Sequence, residues 1–293
     1  NCTVTVNMIR HLECHEIDFE LWDACVASCS SGLPYAFTWY LNSVCENWSG
    51  LVLDDYKAVM PLPFKTKFGL KYVYQPFFTQ QLGVYGVGDV TDFITSIPKS
   101  FLKVQTLLNY KSGIESQHTE EQINLVLNLK QENLKMKFSQ NCKRNLNKSE
   151  KFNLSINSCE PDILVQLFKS NKGKTISHLK EKNYNILIQL ISELNKRNFL
   201  DSYGIFSESM ELLGGVILIR YKKRLIFFFS AINEKGKECS AMFRLVNWII
   251  ETYKVDSDLL DFEGSNNEQL ARFYKGFGAI EENYFSFRRF GIL

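Results

Sequence analysis

Leu259-Leu260-Asp261-Phe262-Glu263-Gly264-Ser265-Asn266-Asn267-Glu268-Gln269-Leu270-Ala271-Arg272-Phe273-Tyr274-Lys275-Gly276-Phe277-Gly278-Ala279 is the segment around which this chain reads. Its first five residues alternate, so a strand is expected with Leu260 and Phe262 on one face and Asp261 and Glu263 together on the other. Gly264 ends it. Ser265 followed three residues later by Glu268 matches a capping box, and Leu270, Phe273, Tyr274 and Phe277 form an apolar helical stripe that Gly278 terminates. Strand, tight turn and helix N-terminus follow one another, with two carboxylates at the strand end and Arg272 and Lys275 off the stripe. Open α/β sheets carry their chemistry at such places.

Working outward, the chain shows the same strand series twice. Gly50 to Leu53, an acidic turn at Asp54-Asp55, Lys57 to Phe64, a basic turn and the aromatic run Tyr72 to Phe78 make the first series. Gly204 to Phe206, an acidic turn from Glu208, Leu212 to Ile219, a basic turn from Arg220 to Arg224 and the aromatic run Leu225 to Ile232 make the second. An offset of 154 residues puts Gly50 on Gly204 and Tyr74 on Phe228. The order repeats while identity does not, and a period of half the chain signals a duplicated domain, since solenoid repeats are far shorter. A chain of 293 residues accommodates two domains of ~150 residues each. Helices are expected at Phe19 to Ser30, Tyr35 to Cys45, Thr91 to Phe101, Phe138 to Phe152, Pro161 to Lys172, Lys182 to Arg197 and Cys239 to Tyr253, and a closing strand at Tyr284 to Phe290. The class is α/β (α+β), with domains at 1–150 and 151–293.

Asp261-Phe262-Glu263-Gly264-Ser265 with Ala271-Arg272-Phe273-Tyr274-Lys275-Gly276-Phe277-Gly278-Ala279 resembles the C-terminal signature of the FemAB-like transferases, in which two GNAT-type domains stand in tandem. A second match, Phe138 to Ser149 with Arg144-Asn145 and Lys148, is similar to the family's basic Arg-Asn-x-x-Lys segment between the domains. The resemblance implies two tandem GNAT-like (acyl-CoA N-acyltransferase fold) domains, each a mixed central sheet flanked by helices. It also implies an acyltransferase that moves an aminoacyl group from a charged tRNA to an amine on a nucleotide- or lipid-linked cell-wall (peptidoglycan) precursor. Tyr274 and Lys275 correspond to an aromatic-Lys pair that lies beside the reacting groups and holds phosphate or developing charge.

Residue chemistry supplies its own candidates. Arg144, Lys148 and Lys151 at i, i+4 and i+7 share a helix face, which suits a phosphorylated or polyanionic ligand and equally a solvated face. Lys275 could stabilise an oxyanion, or simply face solvent. Asp261 or Glu263 could orient or deprotonate an attacking amine; the structural alternative is a pair that caps backbone N–H groups or binds Arg272. Gln80-x-x-Gly83, within Tyr74 to Gly86, partly resembles the GNAT pyrophosphate loop, but Tyr85 stands where a small residue belongs. In the second repeat, Asn233 to Ala241 keeps only Gly236. Neither loop reads as a coenzyme A cradle. Gln75, Gln81, Asn145, Tyr274, Arg272 and Phe229 complete the candidate substrate contacts.

No tightly bound cofactor is expected; the acyl donor is aminoacyl-tRNA or acyl-CoA. Direct transfer without an acyl-enzyme is expected, since no Ser-His-Asp or Cys-His set has recognisable spacing. An acetyl-CoA-dependent GNAT N-acetyltransferase acting on a small amine, and a non-catalytic binding module on the same fold, stay open. Hydrophobic residues at 45% with 23% charged mark a globular chain, and a net charge of +2 confines any anion site to a local patch. The eight cysteines, spread along the chain, read as reduced thiols of a cytoplasmic protein. A metal site at Cys25 and Cys29 with His11, Cys14 and His15 lacks a tight second ligand pair and is set aside. No run approaches the ~20 apolar residues of a membrane span, and no secretion signal is visible.

Overall fold

The computed structural model of the chain describes residues 8–114, 116–177, 179–264 and 267–291. In chain order the elements begin β1 (Ile9–Glu13), α1 (Phe19–Ser28), α2 (Thr38–Val44), β2 (Asn47–Leu53), β3 (Ala58–Lys67), β4 (Leu70–Val73), β5 (Tyr85–Gly86) and α3 (Val90–Thr95). There follow β6 (Phe101–Leu108), β7 (Thr119–Gln122), β8 (Asn124–Asn128), α4 (Gln140–Ser149), β9 (Ser155–Ser158), α5 (Pro161–Ser170) and α6 (Glu181–Lys196). The rest are β10 (Leu200–Phe206), β11 (Leu212–Tyr221), β12 (Arg224–Ile232), α7 (Glu234–Glu238), α8 (Ala241–Tyr253), β13 (Leu259–Gly264), α9 (Glu268–Lys275), β14 (Ile280–Glu281) and β15 (Tyr284–Phe290).

Two compact units result: residues 1–122 with 283–293, and Ile123–Glu282. The first carries a sheet in the order β1-β2-β3-β4-β6-β15-β7, with β5 paired to β3, and the second a sheet in the order β14-β8-β13-β12-β11-β10-β9. Each sheet is antiparallel except for one parallel step, β4 with β6 and β12 with β13. The duplication is therefore topological. Shifted by 154 residues, Ala58–Lys67 falls on Leu212–Tyr221 and Leu70 falls on Arg224, the first residue of β12.

The division differs from the expected 1–150 and 151–293. Beside the strand at the parallel step, each sheet holds a strand that the expected boundary gave to the other domain: β15 pairs with β6, and β8 pairs with β13. Phe287 of β15 is 3% exposed in the first unit's core, so burial draws the C-terminal strand back to the N-terminal unit.

In the first unit Leu51, Met60, Leu62, Phe93, Phe101 and Val104 form the core between sheet and α3. On the opposite face Trp22 of α1 closes so tightly on Gly50 that an added Cβ would stand 2.4 Å from its ring. Two expected elements are shorter here. The aromatic run from Tyr72 stops as a strand at Val73, because Pro76 has no N–H for a ladder and Phe78 adopts φ 62°. Thr91 to Phe101 is helical only to Thr95; Pro98 disfavours helix before it, and Phe101 opens β6.

In the second unit α4, α8 and α9 cover one face of the sheet, where Leu218, Leu225, Phe227, Leu245, Ile249, Leu260, Phe262 and Phe277 meet. On the other face α5 lies so near β11 that a Cβ at Gly215 would be 2.4 Å from Leu164 Cδ2. No helix among the described residues is long and apolar enough to cross a membrane.

Candidate functional site

The second unit's parallel step is short. Arg224, Leu225 and Ile226 of β12 pair with Leu259, Leu260 and Asp261 of β13, and there the pairing stops. Both strands run on, β12 to Ile232 and β13 to Gly264. At this point β12 shifts register against β11, and Glu263 takes φ 58° as β13 shifts register against β8. Two neighbouring strands that part mid-sheet leave backbone groups outside the ladder between them.

Asp261 and Glu263 do not share a face, as the alternation suggested. Asp261 is fully buried and accepts from Arg224 Nη1 at 2.5 Å and from the backbone N–H of Glu263 at 2.8 Å. Arg224, 5% exposed, also donates to both oxygens of Glu282 at 2.9 Å. Burial opposes the Arg224 charge, but Asp261 and then Glu282 outweigh it and raise its pKa. Burial raises the Glu282 carboxyl above its ordinary range, Arg224 pulls it back, and Asp261 pushes it up again. Asp261 is thus committed to a buried ion pair, with Arg224 as partner in place of the Arg272 expected.

Tyr274 belongs to the core. Its ring stacks on Phe262 with centroids 4.3 Å apart, and burial, with the Glu263 charge second, raises its phenol pKa. Asn267 caps α9 by accepting from Gln269 and Leu270, two residues after Ser265, which was expected to do so; Ser265 lies outside the described residues.

The cap fixes which side of α9 faces out. Glu268, Arg272 and Lys275 line a groove of about 880 Å³ with Ser139, Gln140 and Asn141 from the start of α4. The two helices meet there because Ser139 N–H donates to Gly276 O at 2.9 Å. Lys275 Nζ stands 2.6 Å from Glu281, both side chains nearly half exposed. Such a surface pair is worth about 0–1 kcal/mol, so an anionic group could replace Glu281 at little cost.

Gln140 is shared with a second groove, about 480 Å³, lined by Lys143, Arg144, Asn147, Lys148 and Lys151. Among the described residues no carboxylate pairs with any of these four cations. Arg144, Lys148 and Lys151, the three cations set at helical spacing in the sequence, do line one concavity. Asn145 lies beside them with its side chain occupied: it receives Ser240 Oγ at 2.8 Å and donates to Asn141 O at 2.9 Å, tying α4 to α8. Lys151 in turn borders a third groove, about 620 Å³, under α7 and the Ser207 to Glu211 turn.

Several backbone donors of the chain between β12 and α8 are already taken. Asn233 N–H goes to Leu213 O, Gly236 N–H to the Asn233 side chain, and Lys237 and Cys239 N–H to Asn233 O and Lys235 O. In the first unit, Gln75 bridges Thr79 O and Leu107 N–H, and buried Gln81 accepts from Tyr110 N–H. Phe229 packs on Phe168, centroids 4.9 Å apart. These three hold loops and layers together.

Arg224 and Glu282 escaped the sequence reading. Arg220 to Arg224 looked like a solvated basic turn, and only the parallel register brings Arg224 beside Asp261.

No family model and no curated protein matches the chain. Solved structures do. FemX aligns over 94% of this chain and 96% of its own, with TM-score 0.63 and 10% identity. A conserved protein of unknown function from Bacteroides thetaiotaomicron aligns over 96% and 100%, with TM-score 0.62 and 11% identity. A tandem GNAT protein from the clavulanic acid biosynthesis pathway aligns over 96% and 98%, with TM-score 0.56 and 9% identity. The strand order seen twice, each with one parallel step, and these full-length superpositions give the chain its architecture: two GNAT-type folds in tandem, shared with the tandem GNAT protein and aligned over nearly all of FemX.

Proposed function

We propose that the protein is an acyltransferase that moves an aminoacyl or acyl group directly onto an amine of a cell-wall precursor or a similar acceptor. The observation that carries the reading is the parting of β12 and β13 beyond Ile226 and Asp261. An activated carbonyl seated there is polarised by backbone N–H groups while the amine attacks; the oxyanion, stabilised by donors already in place, then collapses to the amide, breaking the donor's ester or thioester bond, and the proton lost by the amine passes to the departing hydroxyl or thiol. Lys275, released from Glu281, and Arg272 then hold a phosphate of the substrate or the developing charge. Glu263, beside the Tyr274 phenol, is the better carboxylate to accept the amine's proton, because Asp261 neutralises Arg224.

Two features favour an aminoacyl-tRNA donor over acyl-CoA. In the Asn233 to Cys239 segment the N–H groups of Asn233, Gly236, Lys237 and Cys239 already have acceptors, which leaves fewer for a diphosphate. The α4 groove offers four cations in a row, a fit for a nucleic-acid backbone.

Titration calorimetry tests this with acetyl-CoA, a charged tRNA and a nucleotide-linked cell-wall peptide offered separately. Binding of the tRNA should weaken steeply with salt, and Arg144→Ala with Lys148→Ala should remove about two units of the log–log slope. Micromolar binding of acetyl-CoA alone would overturn the preferred donor and favour the N-acetyltransferase reading.

A further inference from the structure

At one end of the first unit's sheet, the β3–β4 hairpin turns through Phe68 and Gly69, both with positive φ, 53° and 78°. Two-residue hairpin turns of this hand favour asparagine, aspartate or glycine at both positions, and a bulky residue is rarely found there. Here the first position holds a phenylalanine whose side chain is 91% exposed. The conformation is costly and the exposure adds to the cost, so nothing in the folded chain accounts for the choice. Strain of this kind gathers where a surface meets something else.

The surroundings indicate what that is. Lys67 pairs with Leu70 across the hairpin, and Lys65 pairs with Tyr72, which pairs with Lys103 of β6, which pairs with Phe290 of β15. Residues paired across strands point to the same side, so three lysines share a face with Leu70, 49% exposed, and Phe290, 67% exposed. The ammonium groups of Lys67 and Lys103 each lie 5.5 Å from the ring centres of Phe68 and Phe290. The remaining lysine of the hairpin, Lys71, turns away to pair with Glu13. Projecting apolar tips beside lysines that, among the described residues, make no ion pair with a carboxylate match an interface with hydrocarbon inside and negative charge at its rim.

We propose that this hairpin and the adjoining Lys103–Phe290 row form a docking face for an anionic lipid surface, with Phe68 and Leu70 entering the headgroup boundary and Lys65, Lys67 and Lys103 contacting acidic headgroups. A single-stranded nucleic acid is a poorer fit, since bases stack on rings lying flat on a sheet and gain little from an aliphatic tip such as Leu70. The proposal is independent of the acyl-transfer reading.

Co-sedimentation of the 293-residue chain with vesicles tests it. The protein should pellet with phosphatidylcholine–phosphatidylglycerol vesicles, less with phosphatidylcholine alone, and less as salt rises. Phe68→Asn should weaken the anionic-vesicle binding about tenfold while leaving the thermal midpoint at or above wild type, because asparagine suits the turn. Each of Lys65→Gln, Lys67→Gln and Lys103→Gln should weaken it roughly fivefold. Equal pelleting with both vesicle types, wild-type binding by Phe68→Asn, or binding of a single-stranded oligonucleotide with none to vesicles would overturn the proposal.

Discussion

Arg224 is the residue on which the second unit's sheet turns. A buried guanidinium is tolerable only with a counter-charge in place; Asp261 supplies it from β13, and the Glu282 carboxyl just beyond β14 adds acceptors for its N–H groups. Asp261→Ala removes that charge and strips an acceptor from Glu263 N–H, so unfolding free energy should fall by about 3 kcal/mol or more in urea titration. Glu282 carries a pH signature. Its folded pKa is raised, so its contribution is complete below the unfolded value near 4.5 and is lost as pH rises through the folded value. Wild type should therefore lose stability across that window relative to Glu282→Gln, read from denaturant midpoints at successive pH values. The sequence displayed Asp261 plainly and concealed its partner. Local charge pattern marks Arg224 as the end of a turn, and the contact that defines it is set by strand register, which periodicity does not encode.

Elements were more legible than residues. Strands β10 to β12, helices α5, α6, α8 and α9 and the closing β15 follow from apolar spacing with changes at their ends, because each buries a clear stripe, whereas α7 was read as a loop, its Glu-Lys-Gly-Lys-Glu offering no stripe at all. The failures have local causes: proline at Pro76 and Pro98, and a cap two residues further on. The cap matters for the site, since Asn267 starts α9 and so sets where Arg272 and Lys275 project. Asn267→Ala should cost about 1 kcal/mol in thermal or urea unfolding. Gly215→Ala tests the packing of α5 on β11. Its Cβ would meet Leu164 at 2.4 Å and Tyr203 O at 2.5 Å, and such overpacking typically costs 1–3 kcal/mol, so about 2 kcal/mol is expected.

At the scale of the molecule, the duplication was readable as an offset of 154 residues that holds for β3 and β11 along their whole length. The pairing of β15 with β6 and of β8 with β13, across the boundary expected near residue 150, was not. β15 and β8 look like ordinary strands in their own neighbourhoods, and only long-range pairing assigns one to the first unit and the other to the second. A chain cut after Glu282 should accordingly lose the first unit's fold more than the second's, seen as selective proteolysis within residues 8–122.

The acyl-transfer account as a whole meets its most direct test in a transfer assay. A labelled aminoacyl-tRNA is offered with a nucleotide-linked cell-wall peptide, and acetyl-CoA is offered in parallel, for wild type and Lys275→Ala. The account predicts a new amide on the peptide from the tRNA donor, with kcat/KM falling in Lys275→Ala by the equivalent of about 2–4 kcal/mol. Transfer from acetyl-CoA alone, or a rate untouched by the loss of Lys275, would contradict it.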